Sequence, residues 1–176
     1  MRHVDRIVRA LARLGIALAA IALLASMFLI GYSVVMRYFL NQPAAWVDEL
    51  AGYLLVAAVM LAAADALLEG EHIAVDILTE RLSAHGRRWT VLGGLIAVAL
   101  SALLLVVEGV DMVGFSRTVG LMSNGYLAVP MWIPQLLVPV GAALMLAAAV
   151  SAFAAAWRKR KAAPPVTELH RTAGIE

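Results

Sequence analysis

LGIALAAIALLASMFLIGYSVVM, Leu14 to Met36, runs for 23 residues without a charge. At about 1.5 Å of rise per residue, a helix of that length spans about 34 Å, enough to cross a bilayer core of about 30 Å. Arg2, Arg6, Arg9 and Arg13 precede the run and Arg37 ends it. A basic start before an apolar stretch also marks signal peptides, but their apolar part is only about 7–15 residues. The run is therefore read as a retained membrane helix, over 14–36.

Outward from it, Asn41-Gln42-Pro43 forms a polar turn where proline stops a helix. The next uncharged stretch, Leu50 to Ala64, is too short to cross alone and recruits its flanks, giving a second span over about 47–68 with Asp65 near the headgroups. A third span, about 90–108, is expected to end at Glu108, before a loop holding Asp111, Arg117 and the turn signal Asn124-Gly125. No charge lies between Arg117 and Arg158, a stretch too long for one span. Pro130 and Pro134 mark the start of a fourth span over about 131–156, with a kink at Pro139. Between the second and third spans, Ile73, Ile77, Leu78 and Leu82 recur at helical spacing among Asp76, Glu80 and Arg81. That pattern predicts a short amphipathic helix on the membrane surface, about 72–83. Residues 162–176, with Pro164-Pro165, read as a disordered tail.

Composition agrees. Hydrophobic residues make up 63% and charged residues 15%, against about half and about a quarter in soluble domains. The expected fold is an all-α integral membrane protein: one four-helix membrane domain, 1–161, with the interfacial helix inserted. Twelve of the 14 Lys and Arg residues lie before the first span, between the second and third, or after the fourth. Only Arg37 and Arg117 lie in the other two connections. Positive charge marks the cytoplasm, so both ends are predicted there. Trp46 and Trp132 then fall at the outer interface, and Trp89 and Trp157 at the inner one. Basic residues grouped at span ends speak of topology and not of nucleic-acid binding.

Several chemistries are disfavoured. There is no cysteine, hence no disulfide, thiol chemistry or Cys-ligated metal. His3, His72, His85 and His170 all lie outside the spans, which argues against haem ligation within the bundle. No Gly-rich loop leads into Lys-Ser or Lys-Thr, so Walker-type ATP binding is absent. No enzymatic residue and no cofactor are expected. An ion-coupled carrier buries an ionisable residue, and only Asp65 comes close, so the chain is poorly equipped to transport alone. Ala58, Ala62 and Ala66, and Gly93-Gly94, have spacings that suit helix contacts, although so alanine-rich a chain produces them by chance.

Two groups of polar residues stand out. Arg37 and the pair Asp48-Glu49 flank one short outer loop, near enough to pair across it. Glu49 and Arg37 are expected to hold that corner together or bind a partner subunit; the plainer reading is interfacial snorkelling. His72 and Asp76, four apart, share a helix face. They could be half of a metal site, but no third ligand is near, and a structural or helix-starting role is expected instead.

Three stretches together resemble the small permease subunit of TRAP (tripartite ATP-independent periplasmic) transporters. The first is Val34-Val35-Met36-Arg37-Tyr38-Phe39, then Asn41, Pro43, and Trp46 with Asp48-Glu49-Leu50. This is similar to the family's Arg-Tyr, Asn-x-Pro and Trp-x-acidic-Glu pattern. The second, Gly70-Glu71-His72-Ile73-Ala74-Val75-Asp76, is similar to its Gly-x-His-hydrophobic-x-Val-Asp signature. The third, Val129-Pro130-Met131-Trp132-Ile133-Pro134 with Pro139, resembles the proline-marked start of its last helix. Leu68-Glu69 departs from the basic residues many members carry before the glycine, which puts a shared lipid or phosphate contact there in doubt.

The resemblance implies a mechanism. A periplasmic substrate-binding protein delivers an organic acid, and a large permease subunit moves it inward on the sodium gradient. The small subunit, surrounded by membrane lipid, braces that partner. Arg37, Trp46, Asp48, Glu49, His72, Asp76, Pro130, Trp132 and Pro134 become the candidates for structural or partner contacts. The rivals are a self-contained homodimeric carrier that uses Asp65, and a membrane anchor or assembly subunit of a respiratory complex.

Overall fold

The computed structural model describes residues 2–69 and 84–162. The expected interfacial helix, with His72 and Asp76, and the tail beyond Ala162 lie outside the described residues. The architecture is all-helical: α1 (Arg2–Phe39), α2 (Ala45–Glu69), α3 (Ala84–Val119), a single turn α4 (Trp132–Gln135) and α5 (Leu137–Ala162). Four stretches are long and apolar enough to cross a membrane: Arg6–Phe39, Ala45–Glu69, Trp89–Val119 and Trp132–Trp157.

Two local features differ from the sequence reading. The loop expected after Glu108 is helical as far as Val119. A charge ends an apolar run but not a helix: Glu108 and Asp111 point outward, exposed, while Gly109 and Ser116 keep the buried side intact. The helix ends where Gly120 takes a φ of 66° and the Leu121 N–H bonds back to the Ser116 carbonyl at 2.9 Å. The second difference concerns Pro139. The break falls at Leu136, between α4 and α5, one turn earlier than the proline. Proline lacks the N–H that would bond four residues back and crowds the carbonyl there, so its effect appears on the preceding turn.

Packing follows from narrow seams. On α1 the inward residues are Val8, Ala12, Gly15, Ala19, Ala22, Ser26, Leu29, Ser33 and Met36, at alternating spacings of four and three. On α3 they are Leu92, Leu95, Ala99, Ala102, Val106, Gly109, Val113 and Ser116, with the same alternation. This is the heptad stripe of left-handed helix packing. Small residues dominate it because helices in lipid gain from close backbone approach rather than from hiding apolar bulk. The remaining surfaces of both helices are exposed and rich in Leu, Ile, Val and Phe.

α2 and α5 form the middle of the bundle; α1 packs on α2, α3 packs on α5, and α1 also reaches α5. The crossings lie at one level. A Cβ added to Gly15 would stand 2.6 Å from the Leu61 carbonyl oxygen, and one added to Gly141 2.6 Å from the Met60 carbonyl oxygen. Two consecutive residues of α2 thus receive α1 and α5 at backbone contact. Pro139, two residues before Gly141, meets α3 at Gly109. On one side of this level Ala19, Ala22 and Ala58 pack together; on the other Ala12, Ala64, Leu67, Leu95, Ala148 and Ala149 form the larger cluster.

Candidate functional site at the Arg37 end

Seven of the nine candidate residues gather at one end of the bundle. The turn after α1 is set by Asn41, whose φ of 52° is a left-handed conformation that asparagine tolerates better than most residues. The Gln42 N–H bonds to the Met36 carbonyl at 3.0 Å, folding the chain back into α2. Trp46, on the first turn of α2, lies against Tyr32 of α1, ring centroids 6.3 Å apart.

The two neighbouring carboxylates then part company. Asp48 is the partner of Arg37, Nη2 to Oδ2 3.8 Å, with both side chains more than half exposed. Such a pair contributes about 1 kcal/mol at most. Glu49, one residue on and about 100° round the helix, turns away from Arg37 toward the connection between α3 and α4. One of its oxygens, Oε1, accepts from the Tyr53 hydroxyl at 2.7 Å and from the Ser123 hydroxyl. The other, Oε2, accepts from the Leu127 backbone N–H at 3.2 Å. Ser123 Oγ in turn accepts from the Gly125 N–H at 3.1 Å, and Met131 Sδ lies 3.8 Å from the Tyr53 hydroxyl. Any side chain at Gly125 would occupy the place of the Glu49 carboxylate. A larger residue there would have to displace that carboxylate from its donors.

Glu49 thus fastens residues 123–127 to α2. The base of the same loop is closed by backbone bonds, Ser123 N–H to the Val129 carbonyl at 2.8 Å and Met131 N–H to the Leu121 carbonyl at 2.9 Å. Met122 and Pro130 form a β-bridge. Pro130 suits this place because its missing N–H is not asked for; Pro134 lies in the turn of α4, where proline is tolerated. Trp132 begins that turn and carries the Arg117 guanidinium over its ring at 5.9 Å, a cation–π contact that ties the end of α3 to α4.

The expected Arg37–Glu49 pairing is therefore not the one formed: the structure brings Arg37 to Asp48, and Glu49, one step round the helix, to a different set of groups. Tyr53, Ser123 and Leu127 were not singled out from sequence, and Gly125 only as half of a turn signal. The Glu49–Tyr53 spacing of four was the available signal; the Ser123 and Leu127 contacts, more than 70 residues away, had none. Both carboxylate oxygens of Glu49 are engaged by donors of this chain. At the opposite end Asp65 lies within α2, four residues before its end, and is the one ionisable group among the buried side chains of the described residues. No group of three His, Asp or Glu that could hold a metal occurs among the described residues.

Comparison with known proteins bears on this end of the molecule. The family described as tripartite ATP-independent periplasmic transporters, DctQ component, matches residues 26–159, which include every candidate named above. The chain is also similar to the C4-dicarboxylate TRAP transporter small permease protein DctQ of Rhodobacter capsulatus. The two are 34% identical over 100 residues, covering 57% of this chain and 44% of that protein. The similarity thus spans less than half the length of that relative.

Proposed function

The chain belongs to the DctQ component family of TRAP transporters, and on that premise we propose that it is the small permease subunit bracing a larger one. The transporter so formed would take up an organic acid, delivered by a soluble binding protein and driven by the sodium gradient. A member of this family is a transporter component and not an enzyme. It is a multi-pass membrane protein, and in this reading both termini face the cytoplasm, with Arg37, Trp46 and the Glu49 fastening on the outer side. C4-dicarboxylates are the substrates to assay first, because the Rhodobacter relative carries them in its name.

The observation that carries the brace reading is how the interior is filled. Among the described residues the buried side chains are apolar or serine, with Asp65 the lone ionisable exception. Ion coupling needs an interior group that binds an ion or changes charge. At the level of Met60 and Leu61, α1 and α5 both meet α2 at backbone contact. Such a bundle is suited to standing still beside a moving partner.

Purification of the tagged chain from its native membranes in mild detergent, followed by mass spectrometry, tests this. A much larger polytopic permease is expected in about equal amount. Recovery of a stable homodimer that moves substrate when reconstituted by itself would overturn the reading and make Asp65 the first residue to mutate.

A further inference from the structure

Two basic stretches from opposite ends of the sequence meet at one end of the bundle. α1 opens with Arg2, Arg6, Arg9 and Arg13, and α5 closes with Arg158, Lys159, Arg160 and Lys161. They meet because Val8 and Ala12 of α1 share one apolar cluster with Phe153 and Ala156 of α5. At this end of α1, α2 and α5 the acidic residues are Asp5, Asp65 and Glu69, set against eight cations, and Asp65 is buried.

The arginines of α1 fall on one face. Spacings of four, three and four keep them within about 60° of one another round the helix, and their face lies about 120° from the seam of Val8, Ala12 and Gly15. Arg6, Arg9 and Arg13 are exposed, and none of them forms an ion pair with another described residue. Their depth is set by what adjoins them. Arg13 is followed at once by the uncharged run of α1, and Arg158 follows Trp157, whose ring stacks on Phe153 with centroids 6.0 Å apart. Tryptophan at the end of a long apolar helix marks the headgroup zone. A row of guanidinium groups at that level, turned away from the bundle, faces lipid phosphate.

We propose that the start of α1 and the end of α5 together form a binding surface for anionic phospholipid headgroups, with Arg6, Arg9 and Arg13 holding the phosphates. This goes beyond topology. Positive charge in a connection sets which way a chain inserts, whereas a stripe of cations at the headgroups selects which lipids stay beside it. Arginine suits the role, because its planar fork of N–H donors matches phosphate oxygens and its stem lies comfortably along apolar surface. Ile7, Leu11 and Leu14, all exposed on another face of the same segment, offer the acyl chains a surface. The inference stands whether or not the chain braces a larger permease.

The test is native mass spectrometry of the full chain in mild detergent, incubated with equal amounts of phosphatidylglycerol, cardiolipin and phosphatidylcholine. The two anionic lipids are expected as the retained adducts. Replacing Arg6, Arg9 and Arg13 together by glutamine is expected to weaken that retention by about tenfold or more. Replacing the same three by lysine should keep most of it, and Arg37→Gln, at the other end of the bundle, should leave it unchanged. Equal retention of phosphatidylcholine, or a triple glutamine variant that binds as the parent does, would overturn the inference. So would displacement of the adducts by an equal concentration of pyrophosphate or of duplex DNA, since the stripe would then be reading phosphate without a membrane. Adducts missing from the chain as purified from its native membranes with its partners attached would count equally against it, because protein would then cover the stripe.

Discussion

Asp48 and Glu49 are adjacent in sequence, chemically alike, and end in opposite circumstances. Asp48 joins Arg37 across the first corner, in solvent, at 3.8 Å. Glu49 reaches the second connection and is held by a tyrosine, a serine and a backbone amide. A single step round a helix decides which carboxylate is decoration and which is a joint. The first corner is a short turn that its own backbone already closes. The second is a longer excursion, from Gly120 to Met131, which needs a side chain from another helix to fix it.

Mutations can break that contrast, and thermal unfolding in detergent reads them. Glu49→Ala is expected to lower Tm most of any single change at this end, because it strands Tyr53, Ser123 and the Leu127 N–H together. If its effect matched that of Asp48→Ala, the distinction between the corners would collapse. Gly125→Ala comes next, at about 1–3 kcal/mol, since its methyl group must push the carboxylate aside. Ser123→Ala should cost about 1.5 kcal/mol, and little further once Glu49 is already alanine, so a double-mutant cycle returns a clear coupling energy. The smallest effect belongs to Arg37→Ala, about 0.5 kcal/mol, with an Arg37–Asp48 coupling that fades as salt is added. A large, salt-insensitive coupling there would mean that the first corner is also a joint.

The helices were legible because length and the absence of charge suffice to announce a span. The Asn124-Gly125 turn also located the loop that matters. The seams were not legible, for a physical reason: in a membrane helix the lipid-facing and protein-facing sides are both apolar, so no contrast in polarity marks the buried stripe. Ala58 and Ala62 do lie inward, but Ala66 does not, and Gly93 and Gly94 face away from the bundle. The stripe of α1, from Val8 through Gly15 to Ser33, is set apart from its surroundings by smaller side chains and by spacing, not by a change from apolar to charged. The end of α3 was misjudged because leaving the apolar run was equated with leaving the helix. Asp48 and Glu49 could not be told apart without knowing that Ser123 lies across from one of them.

The common level of the helix crossings has a geometric consequence. Along α1 the uncharged run begins one residue before its crossing at Gly15 and extends from there about 32 Å toward Met36. Along α3 the run from Thr90 stops at Val107, short of its crossing at Gly109, and lies wholly on the opposite side, over about 27 Å. The greasy bands of the two outer helices are therefore offset along the bundle like the steps of a stair. A flat bilayer core about 30 Å thick, set square to the bundle, could not cover both bands in full. Helices of 38 and 36 residues are far longer than an upright crossing of such a core requires, which leaves both of them room to lie aslant in it.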